Sequence, residues 1–395
     1  MLNCNLGLNT HDISVLHLID SGGLFGAEKM LISLAVEQSK MGLIPVLGSI
    51  RKTGTIEKPI EREAERKGIR VITFDMRVGP NIPGILSILR SAKSNQFNIL
   101  HSHGYKTNIL LGFLPYTIKR MPMITTLHGW TNTTGWTKMR LNETMDAFSL
   151  HFVDKVVIVN KGMLANPKIR KLPENKLAII DNGINVDDIS EDSDYKLDPE
   201  ITNKIKAFSS KGRVIASIGR VSAEKGYDHL IDAVCILRKE HGVDARLMII
   251  GDGRLRNKLE HRAQQSGLSD NFMVTGYIDN APRLLKYVDC YVISSLTEGL
   301  PITLLEVMAS RTPIVATAVG GIPHVVDDKK EALLVPPQKP DEMAAAIFQV
   351  FHDEQLCKRM TFSAYRKVVE SYSCKAMAAR YKSIYQEVIA KSRHS

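Results

Sequence analysis

Short apolar runs alternate with amphipathic segments along the first half of the chain. Between the first two runs, residues 27–41 place Leu31, Leu34 and Ala35 on one face, as in an amphipathic helix. Continuous apolar strands separated by helices are typical of parallel strands that are covered on both faces. The pattern therefore predicts a βαβα unit with strands at residues 13–19, 44–50, 71–74, 98–103, 123–128 and 155–160.

A polar stretch at residues 185–200 has no periodic apolar face and predicts a linker. The alternation then resumes, with apolar runs at residues 213–219, 246–253, 272–276, 290–295, 313–318 and 332–337. Two successive units of similar size predict an α/β fold with two Rossmann-like, doubly wound parallel-sheet domains that face each other across a cleft. The expected boundaries are 1–185 for the first domain, 186–211 for the linker region, 212–373 for the second domain and 374–395 for a terminal helix.

The composition is that of an ordinary globular protein, with 395 residues, 44% hydrophobic and 24% charged. Polar and acidic residues interrupt every apolar run among the first 30 residues, so no signal peptide is predicted. No run approaches the roughly 20 apolar residues of a membrane span. The five cysteines form no C-x-x-C pair, which argues against a disulfide framework or a zinc site and fits a reducing cytosol. We expect a cytoplasmic protein.

Excess positive charge is concentrated in the first half of the chain. Residues 1–185 contain 23 Lys and Arg against 14 Asp and Glu, whereas the remaining residues contain 29 against 28. One interpretation is an anionic partner such as a membrane surface, a phosphorylated acceptor or nucleic acid, and the other is a basic solvated surface. No aromatic-rich basic strand accompanies the charge, so nucleic-acid binding is not favoured.

The segment EGLPITLLE, residues 298–306, follows an apolar strand and runs into a predicted helix. Glu298 would then lie in the loop after the strand, and Glu306 about one turn into the helix. Carboxylates in such positions accept hydrogen bonds from sugar hydroxyls and from both hydroxyls of a ribose. The free N–H groups at the start of the helix favour a diphosphate. The alternative is a pair of solvated helix charges.

The segment GRVSAEKG, residues 219–226, places Arg220 and Lys225 in the turn after another strand. Two cations in a closed cleft stabilise the negative charge that develops on a departing nucleotide diphosphate, without requiring a metal. The alternative is that both are ordinary surface cations.

Three weaker signals follow strands of the first half. Gly22 and Gly23 allow a ligand to approach the backbone just before a helix begins, although a glycine pair after a strand is more often only a turn. His128 lies at the end of a strand that would face the cleft, and His103 ends the neighbouring strand. Neither His101 nor His103 has metal-ligand spacing supported by a Cys or a carboxylate, so no zinc site is predicted.

Together these segments resemble the retaining glycosyltransferases of the GT-B fold, most closely glycosyltransferase family 4, the glycosyl transferases group 1. The resemblance covers nearly the whole chain and includes SGGLFGAEKM, HSHG, TLHGW, DNGIN, GRVSAEKG, GDG, SSLTEGLPITLLEVMA and VATAVGGIPHVV. The E-x7-E segment with its upstream Arg and Lys is quite specific, whereas the other motifs are individually loose. Thr297 departs from the residue that relatives often have before Glu298. The chain also lacks the Lys-containing glycine loop of glycogen and starch synthases, which disfavours storage-polysaccharide elongation.

The resemblance implies a hexosyltransferase that moves a sugar, with retention of configuration, from a UDP- or GDP-linked nucleotide sugar to a glycan or lipid-linked acceptor. Cell-surface polysaccharide or lipopolysaccharide synthesis would be its setting, with a possible peripheral position at the inner membrane face. Catalytic roles are implied for His128, Glu298, Arg220 and Lys225. The implied donor-binding residues are Gly22, Gly23, Arg220, Lys225, Gly253, Glu298, Gly299, Leu300, Pro301, Ile302, Thr303 and Glu306.

The resemblance also implies that the chemistry needs no essential metal or other cofactor. It further implies that the leaving phosphate itself takes the proton of the acceptor, so that no side-chain general base is required. Asp192, Ser193 and Asp194 spell a D-x-D motif, but they lie in the polar stretch rather than after a strand, so we interpret the match as chance. Acceptor binding is predicted at His103, Trp130 and Trp136, because aromatic faces stack on sugar rings. For the tryptophans, packing under a loop is the alternative.

Two rival functions share this architecture. A nucleotide-sugar 2-epimerase would need side chains for proton removal and elimination, and the E-x7-E pattern favours the transferase. A non-catalytic binding protein is disfavoured because Glu298, Glu306, Arg220 and Lys225 are all intact. The nucleotide base, the sugar, the acceptor and the linkage stay open, because loops select them.

Overall fold

The computed structural model describes residues 13–76, 81–128, 138–189 and 198–392, with only the backbone described for residues 138–141. The described residues form two compact units. The first is drawn from Met1–Gly183 and Cys374–Ser395, and the second from Ile184–Ser373.

The first unit contains a parallel sheet covered by helices. Its described strands follow the order β3-β2-β1-β4-β5-β6-β7, so the order reverses direction between β1 and β4. The strands are β1 (Ser14–Ile19), β2 (Ile44–Lys52), β3 (Arg70–Met76), β4 (Ile99–Ser102), β5 (Met123–Leu127), β6 (Lys155–Ile158) and β7 (Leu177–Ile179). The helices are α1 (Gly26–Lys40), α2 (Pro59–Arg66), α3 (Ile82–Ser94), α4 (Tyr105–Gly112), α5 (Tyr116–Lys119), α6 (Lys138–Ser149) and α7 (Pro167–Arg170).

The second unit repeats this plan. Its described strands follow the order β10-β9-β8-β11-β12-β13, and the order reverses between β8 and β11. The strands are β8 (Arg213–Ile218), β9 (Ala245–Ile250), β10 (Phe272–Val274), β11 (Cys290–Ile293), β12 (Ile314–Thr317) and β13 (Leu333–Val335). The helices are α8 (Pro199–Ser209), α9 (Tyr227–Glu240), α10 (Arg256–Gln265), α11 (Ile302–Ser310), α12 (Ile322–Val325), α13 (Pro340–His352) and α14 (Glu354–Lys367).

Both sheets are parallel throughout the registers that the structure describes, and the strands adjoining each reversal are buried. The prediction of two doubly wound parallel-sheet domains is confirmed. Continuous apolar strands carried the signal, because a strand buried on both faces has no polar alternation.

Helix α8 lies inside the range that the sequence assigned to the linker region. The side chain of Asp198 caps it by accepting a hydrogen bond from the Glu200 N–H at 2.8 Å. Ile205 and Phe208, three residues apart, are buried on the second unit's sheet beside Val214. Tertiary packing of two apolar residues therefore fixes a helix where local polarity suggested none.

The last helix, α15 (Cys374–Ser392), belongs to the first unit. Its buried face, which includes Met377 and Ile384, packs in one cluster with Val15, Ile99 and Ile124 of the sheet. The C-terminal segment thus completes the core of the N-terminal unit. Among the described helices, none combines the length and the apolar composition that a membrane span requires.

We predict that Met377→Ala will destabilise the first unit, because Met377 is only 1% exposed and its removal leaves a cavity between α15 and the sheet. The expected loss in free energy of unfolding is about 2–5 kcal/mol. Both tryptophans of the chain belong to the sequence of this unit, so tryptophan fluorescence during urea unfolding provides the measurement. Lys375→Ala, at an exposed position of the same helix, should change the value by no more than roughly 0.5 kcal/mol. Equal effects of the two substitutions would contradict the packing role of α15.

Candidate functional site

In the second unit, the predicted site residues converge where the strand order reverses. The loop after β8 carries Arg220 and Lys225, and the loop after β11 carries Glu298. Lys225 Nζ forms an ion pair with Glu298 Oε1 at 2.6 Å, and Ser295 Oγ donates to the same oxygen at 2.6 Å. Arg220, in the same loop as Lys225, is exposed and makes no ion pair with any described residue. The crevice outside a strand-order reversal is where open α/β sheets bind ligands.

Backbone contacts hold the two loops together. The Leu296 N–H donates to the Glu224 carbonyl at 2.8 Å, and Ser294 Oγ donates to the Lys225 carbonyl at 2.8 Å. Gly226 adopts a φ of +62°, and a Cβ at that position would lie 2.2 Å from the Ser294 carbonyl oxygen. Only glycine fits this close approach, so Gly226 is required for Lys225 to reach Glu298.

Glu306 lies on α11, which follows the Glu298 loop. Burial raises the pKa of its carboxyl, and the carboxyl forms no hydrogen bond or ion pair with any described residue. The Tyr291 hydroxyl on β11 accepts the Ile218 N–H at 3.2 Å. Burial raises the pKa of Tyr291 to about 12, and the negative charges of Glu306 and Glu298 add to this shift. The two carboxylates therefore act on one hydroxyl, that of Tyr291 near the start of β11.

A glycine pair after β12 supports the loop from the other side. The Gly321 N–H donates to the Gly299 carbonyl at 2.8 Å. Gly320 has a φ of +57°, and a Cβ there would lie 1.8 Å from the Glu298 carbonyl oxygen. Gly253 packs equally closely on the Arg220 loop, where a Cβ would lie 2.4 Å from the Val221 carbonyl oxygen. The sequence analysis assigned no role to Gly226, Gly320 or Ser295, although positive φ and close backbone approach explain both glycines.

The remaining predicted donor residues surround the start of α11. Pro301 is buried and precedes the first residue of the helix, whereas Gly299 and Ile302 are exposed. The Thr303 side chain partly offsets the rise in the pKa of the Tyr291 hydroxyl. Free N–H groups in the first turn of this helix are available to an anionic group.

In the first unit, Gly22 and Gly23 form the turn between β1 and α1. The carboxylate of Glu28 holds this turn, because it accepts the Phe25 N–H at 3.0 Å and the Ser21 hydroxyl at 2.7 Å. The turn is therefore fixed by a side chain that the sequence analysis did not single out.

Four histidines gather at the ends of β1, β4 and β5. Nitrogen atoms of His17, His101 and His103 lie within 4.8 Å of one another, and His103 Nδ1 lies 3.4 Å from His128 Nε2. Burial lowers the pKa values of His17 and His128 to about 4, and lowers those of His101 and His103 well below their usual range. All four rings are therefore neutral near pH 7.

This histidine cluster differs from what sequence spacing indicated, because folding adds His17 to the His101–His103 pair. Both ring nitrogens of each of the three buried histidines already have a side-chain partner. A metal ion would have to replace hydrogen bonds there. His103, predicted at the acceptor, is 5% exposed and is engaged by two other histidines. Trp130 and Trp136, together with Asp192, Ser193 and Asp194, lie outside the described residues.

Two family models match consecutive parts of the chain. The model of glycosyl transferases group 1 matches residues 198–367, and the model of glycosyltransferase family 4 matches residues 26–188. The chain belongs to the group 1 glycosyltransferases. The match to the first model includes Arg220, Lys225, Glu298 and Glu306.

Individual relatives agree with this assignment. An uncharacterised glycosyltransferase of Methanocaldococcus jannaschii is 27% identical over 74% of this chain and 76% of its own length. The UDP-Gal:alpha-D-GlcNAc-diphosphoundecaprenol alpha-1,3-galactosyltransferase of Escherichia coli is 21% identical over 78% of this chain and 80% of its own length. The Anabaena protein HepE, solved in complex with UDP, superimposes with a TM-score of 0.71 at 18% identity and covers 95% of this chain and 100% of that chain. This last likeness shows a shared fold.

We predict that the first unit of this glycosyltransferase loses stability as the pH falls from about 6.5 to about 4. The folded-state pKa values of His17 and His128 are about 4, below the unfolded value of 6.5, so protons bind preferentially to the unfolded chain in this interval. Stability is fully present above pH 6.5, and each histidine removes about 1.4 kcal/mol per pH unit below it. Urea unfolding followed by tryptophan fluorescence at pH 7 and pH 5 measures the slope.

His17→Gln should flatten this pH dependence, whereas His151→Gln, at an exposed histidine of the same unit, should leave it unchanged. An identical slope in all three proteins would show that the buried histidines do not cause the pH dependence.

Proposed function

We propose that this chain transfers a hexose-type sugar from a nucleotide diphosphate sugar to a glycan or lipid-linked acceptor, with retention of configuration and without an essential metal. The observation that carries the proposal is the Lys225–Glu298 ion pair at the strand-order reversal of the second unit. Arg220 lies in the same loop as Lys225, and Glu306 lies on α11, which follows the Glu298 loop. The UDP bound to the Anabaena protein and the UDP-Gal named as donor of the Escherichia coli relative support a nucleotide sugar.

The cations at this site match a diphosphate. In the proposed complex, Arg220 and Lys225 bind the phosphate oxygens, and the first-turn N–H groups of α11 donate to the same group. Negative charge grows on the diphosphate as its bond to the sugar breaks, so these contacts strengthen in the transition state. In the first unit, we assign the Gly23 backbone to the phosphates and His128 to the transferred sugar, as the resemblance implies.

The two carboxylates are suited to accept hydrogen bonds from hydroxyl groups of the donor. Lys225 and Ser295 both contact Glu298 Oε1, so Oε2 remains to accept a hydroxyl of the donor sugar. Glu306 has two oxygens for the two hydroxyls of a ribose. The raised pKa of Glu306 indicates that its charge is poorly solvated before the ligand arrives. Hydrogen bonds from ribose would compensate for that loss of water.

The proposed step is a single-face substitution at the anomeric carbon. The bond from this carbon to the phosphate oxygen breaks, and a bond to the acceptor oxygen forms on the same face. The acceptor proton passes to an oxygen of the leaving phosphate, so the site needs no side-chain general base. The alpha product in the name of the Escherichia coli relative is the linkage expected when an alpha-linked donor reacts with retention.

We predict that Lys225→Met and Glu306→Gln will each lower kcat/KM for sugar transfer by about 10²–10³ while the fold is kept, because each removes a polar contact with the donor. A thermal-shift panel of UDP, GDP and ADP first identifies the base, since the matching nucleotide stabilises the protein most. Radiolabelled transfer from the matching nucleotide sugars then gives the rate.

Lys211→Met, at an exposed lysine before β8, provides the matched control and should keep the wild-type rate. Wild-type kcat/KM in both site variants would show that the donor site has been misplaced. Incubation without an acceptor separates the rival activity, because formation of an epimer instead of slow hydrolysis would identify an isomerase.

We further propose that the first unit contacts an anionic lipid surface through an exposed aromatic cluster. Phe113, Phe148 and Phe152 have ring centroids 5.4–5.8 Å apart, and their exposures are 36%, 59% and 49%. Exposed apolar side chains that form one group indicate an interaction site, whereas single exposed apolar residues are ordinary. The Lys176 ammonium lies beside the cluster, where it donates to the Val153 carbonyl at 3.0 Å. Together with the excess positive charge of residues 1–185, this arrangement suits anionic lipid.

We predict that Phe148→Ser will reduce sedimentation of the protein with anionic vesicles at low salt, because it removes apolar area from the cluster. Phe362→Ser provides a matched control, since Phe362 is also 59% exposed but lies on α14 of the second unit. Wild-type binding should weaken as salt rises. Equal sedimentation with neutral and anionic vesicles would remove the electrostatic part of the proposal, and equal loss in both variants would remove the cluster.

A further inference from the structure

One continuous chain of hydrogen bonds runs through the core of the first unit from the sheet to α1 and α15. His128 Nε2 lies 3.4 Å from His103 Nδ1, and His103 Nε2 lies 3.0 Å from His17 Nδ1. His17 Nε2 then lies 2.8 Å from Gln38 Oε1. The amide Nε2 of Gln38 donates to the Tyr385 hydroxyl at 2.9 Å. The side chains of His103, His17 and Gln38 therefore connect His128 to Tyr385 on the last helix.

The chain continues beyond Tyr385. Its hydroxyl lies 2.8 Å from His101 Nδ1, and His101 Nε2 lies 2.8 Å from Thr126 Oγ1. Thr126 Oγ1 in turn lies 2.8 Å from the Tyr381 hydroxyl. Apart from His128, which is partly exposed, every member is buried. Because water does not reach these groups, each donor must find its acceptor within the chain of hydrogen bonds.

The amide of Gln38 gives this chain a direction. A carboxamide oxygen only accepts, so the proton of the neutral His17 ring is on Nε2 and its Nδ1 is an acceptor. His103 must then donate from Nε2 to His17, which leaves His103 Nδ1 as the acceptor that faces His128. His128 consequently donates from Nε2. Its Nδ1 carries a lone pair and has no hydrogen-bond partner among the described residues.

The bonds beyond Gln38 are compatible with this orientation of its amide. Gln38 Nε2 donates to the Tyr385 hydroxyl, which donates to His101 Nδ1. His101 then donates from Nε2 to Thr126. Reversing the amide would reverse every bond in the chain and would move the His128 proton to Nδ1. The tautomer of His128 is therefore tied to one side chain that lies two histidines away from it.

We propose that Gln38 and Tyr385 are positioning residues that hold the proton of His128 on Nε2, so that Nδ1 accepts a hydrogen bond from a hydroxyl of the transferred sugar. The contact with the sugar rests on the proposed function, whereas control of the tautomer rests on the hydrogen bonds alone. A ring that presents a lone pair selects a donating hydroxyl, and the opposite tautomer would present a proton to the same group. The tautomer of His128 thus decides whether its ring accepts or donates a hydrogen bond at this position.

The test is Gln38→Met, which keeps the length of the side chain and removes the amide. Long-range ¹H–¹⁵N correlation spectra of protein labelled at histidine report which ring nitrogen carries the proton, and His128→Gln identifies the His128 signals. In the wild-type protein we expect a protonated Nε2 and an unprotonated Nδ1. In Gln38→Met we expect signals of mixed tautomers and a fall in kcat/KM of about five- to tenfold, the size of one net hydrogen bond. The affinity for whichever of UDP, GDP or ADP the thermal-shift panel identifies should be unchanged.

Two tyrosine variants provide a matched pair if Gln38→Met folds poorly. Tyr385→Phe removes the hydroxyl that holds the Gln38 amide and should shift the His128 tautomer and kcat/KM in the same direction. Tyr381→Phe removes an equally buried hydroxyl of the same helix, which contacts Thr126 rather than Gln38, and should change neither.

The outcomes separate the two levels of the proposal. Protonated Nδ1 in the wild-type protein, or an unchanged His128 tautomer in both Gln38→Met and Tyr385→Phe, would overturn tautomer control. A shifted tautomer with wild-type kcat/KM would support tautomer control and would overturn the assignment of His128 to the sugar.

Discussion

The ion pair between Lys225 and Glu298 is the interaction on which the candidate site depends. The two residues are 73 positions apart in sequence, and their side chains are only 21% and 11% exposed. A carboxylate and an ammonium that lose water in this way must be paired, since either one alone would be costly to bury. The pair fixes both side chains at the strand-order reversal. Lys225 and Ser295 both contact Oε1 of Glu298, so Oε2 has no hydrogen-bond partner among the described residues.

The same constraint explains the glycines around the pair. Lys225 reaches Glu298 because Gly226 lets the β8 loop approach the Ser294 carbonyl, and Glu298 is held from behind by Gly320. Larger residues at either position would separate the loops and leave two charges partly desolvated without their partner. In the second unit, the ion pair therefore depends on the close packing of backbone at these two glycines.

The first unit also buries polar side chains, but these side chains are neutral. His17, His101 and His103 are buried within or just after β1 and β4, where desolvation keeps the rings neutral. The neutral imidazole rings, the Gln38 amide and the hydroxyls are hydrogen-bonded to one another, and the donors point in one direction along the chain of hydrogen bonds. Residues from α1 and α15 supply the amide and the tyrosines, so the C-terminal helix completes a polar network as well as an apolar core. Only His128, at the end of this network, is partly exposed.

The two parallel-sheet units could be predicted from the apolar runs, because strands that are buried on both faces lack polar alternation. Arg220, Lys225 and Glu298 could be assigned to loops after strands, and Glu306 to the next helix, because these are local features of the sequence. The sequence did not indicate β7, whose three residues are only partly buried, or α8, which depends on the packing of Ile205 and Phe208. The pairing of Lys225 with Glu298 and the contacts of Gln38 and Tyr385 with the histidines could not be predicted, because folding brings these residues together. Such contacts join residues far apart in sequence, where spacing carries no signal about distance in space.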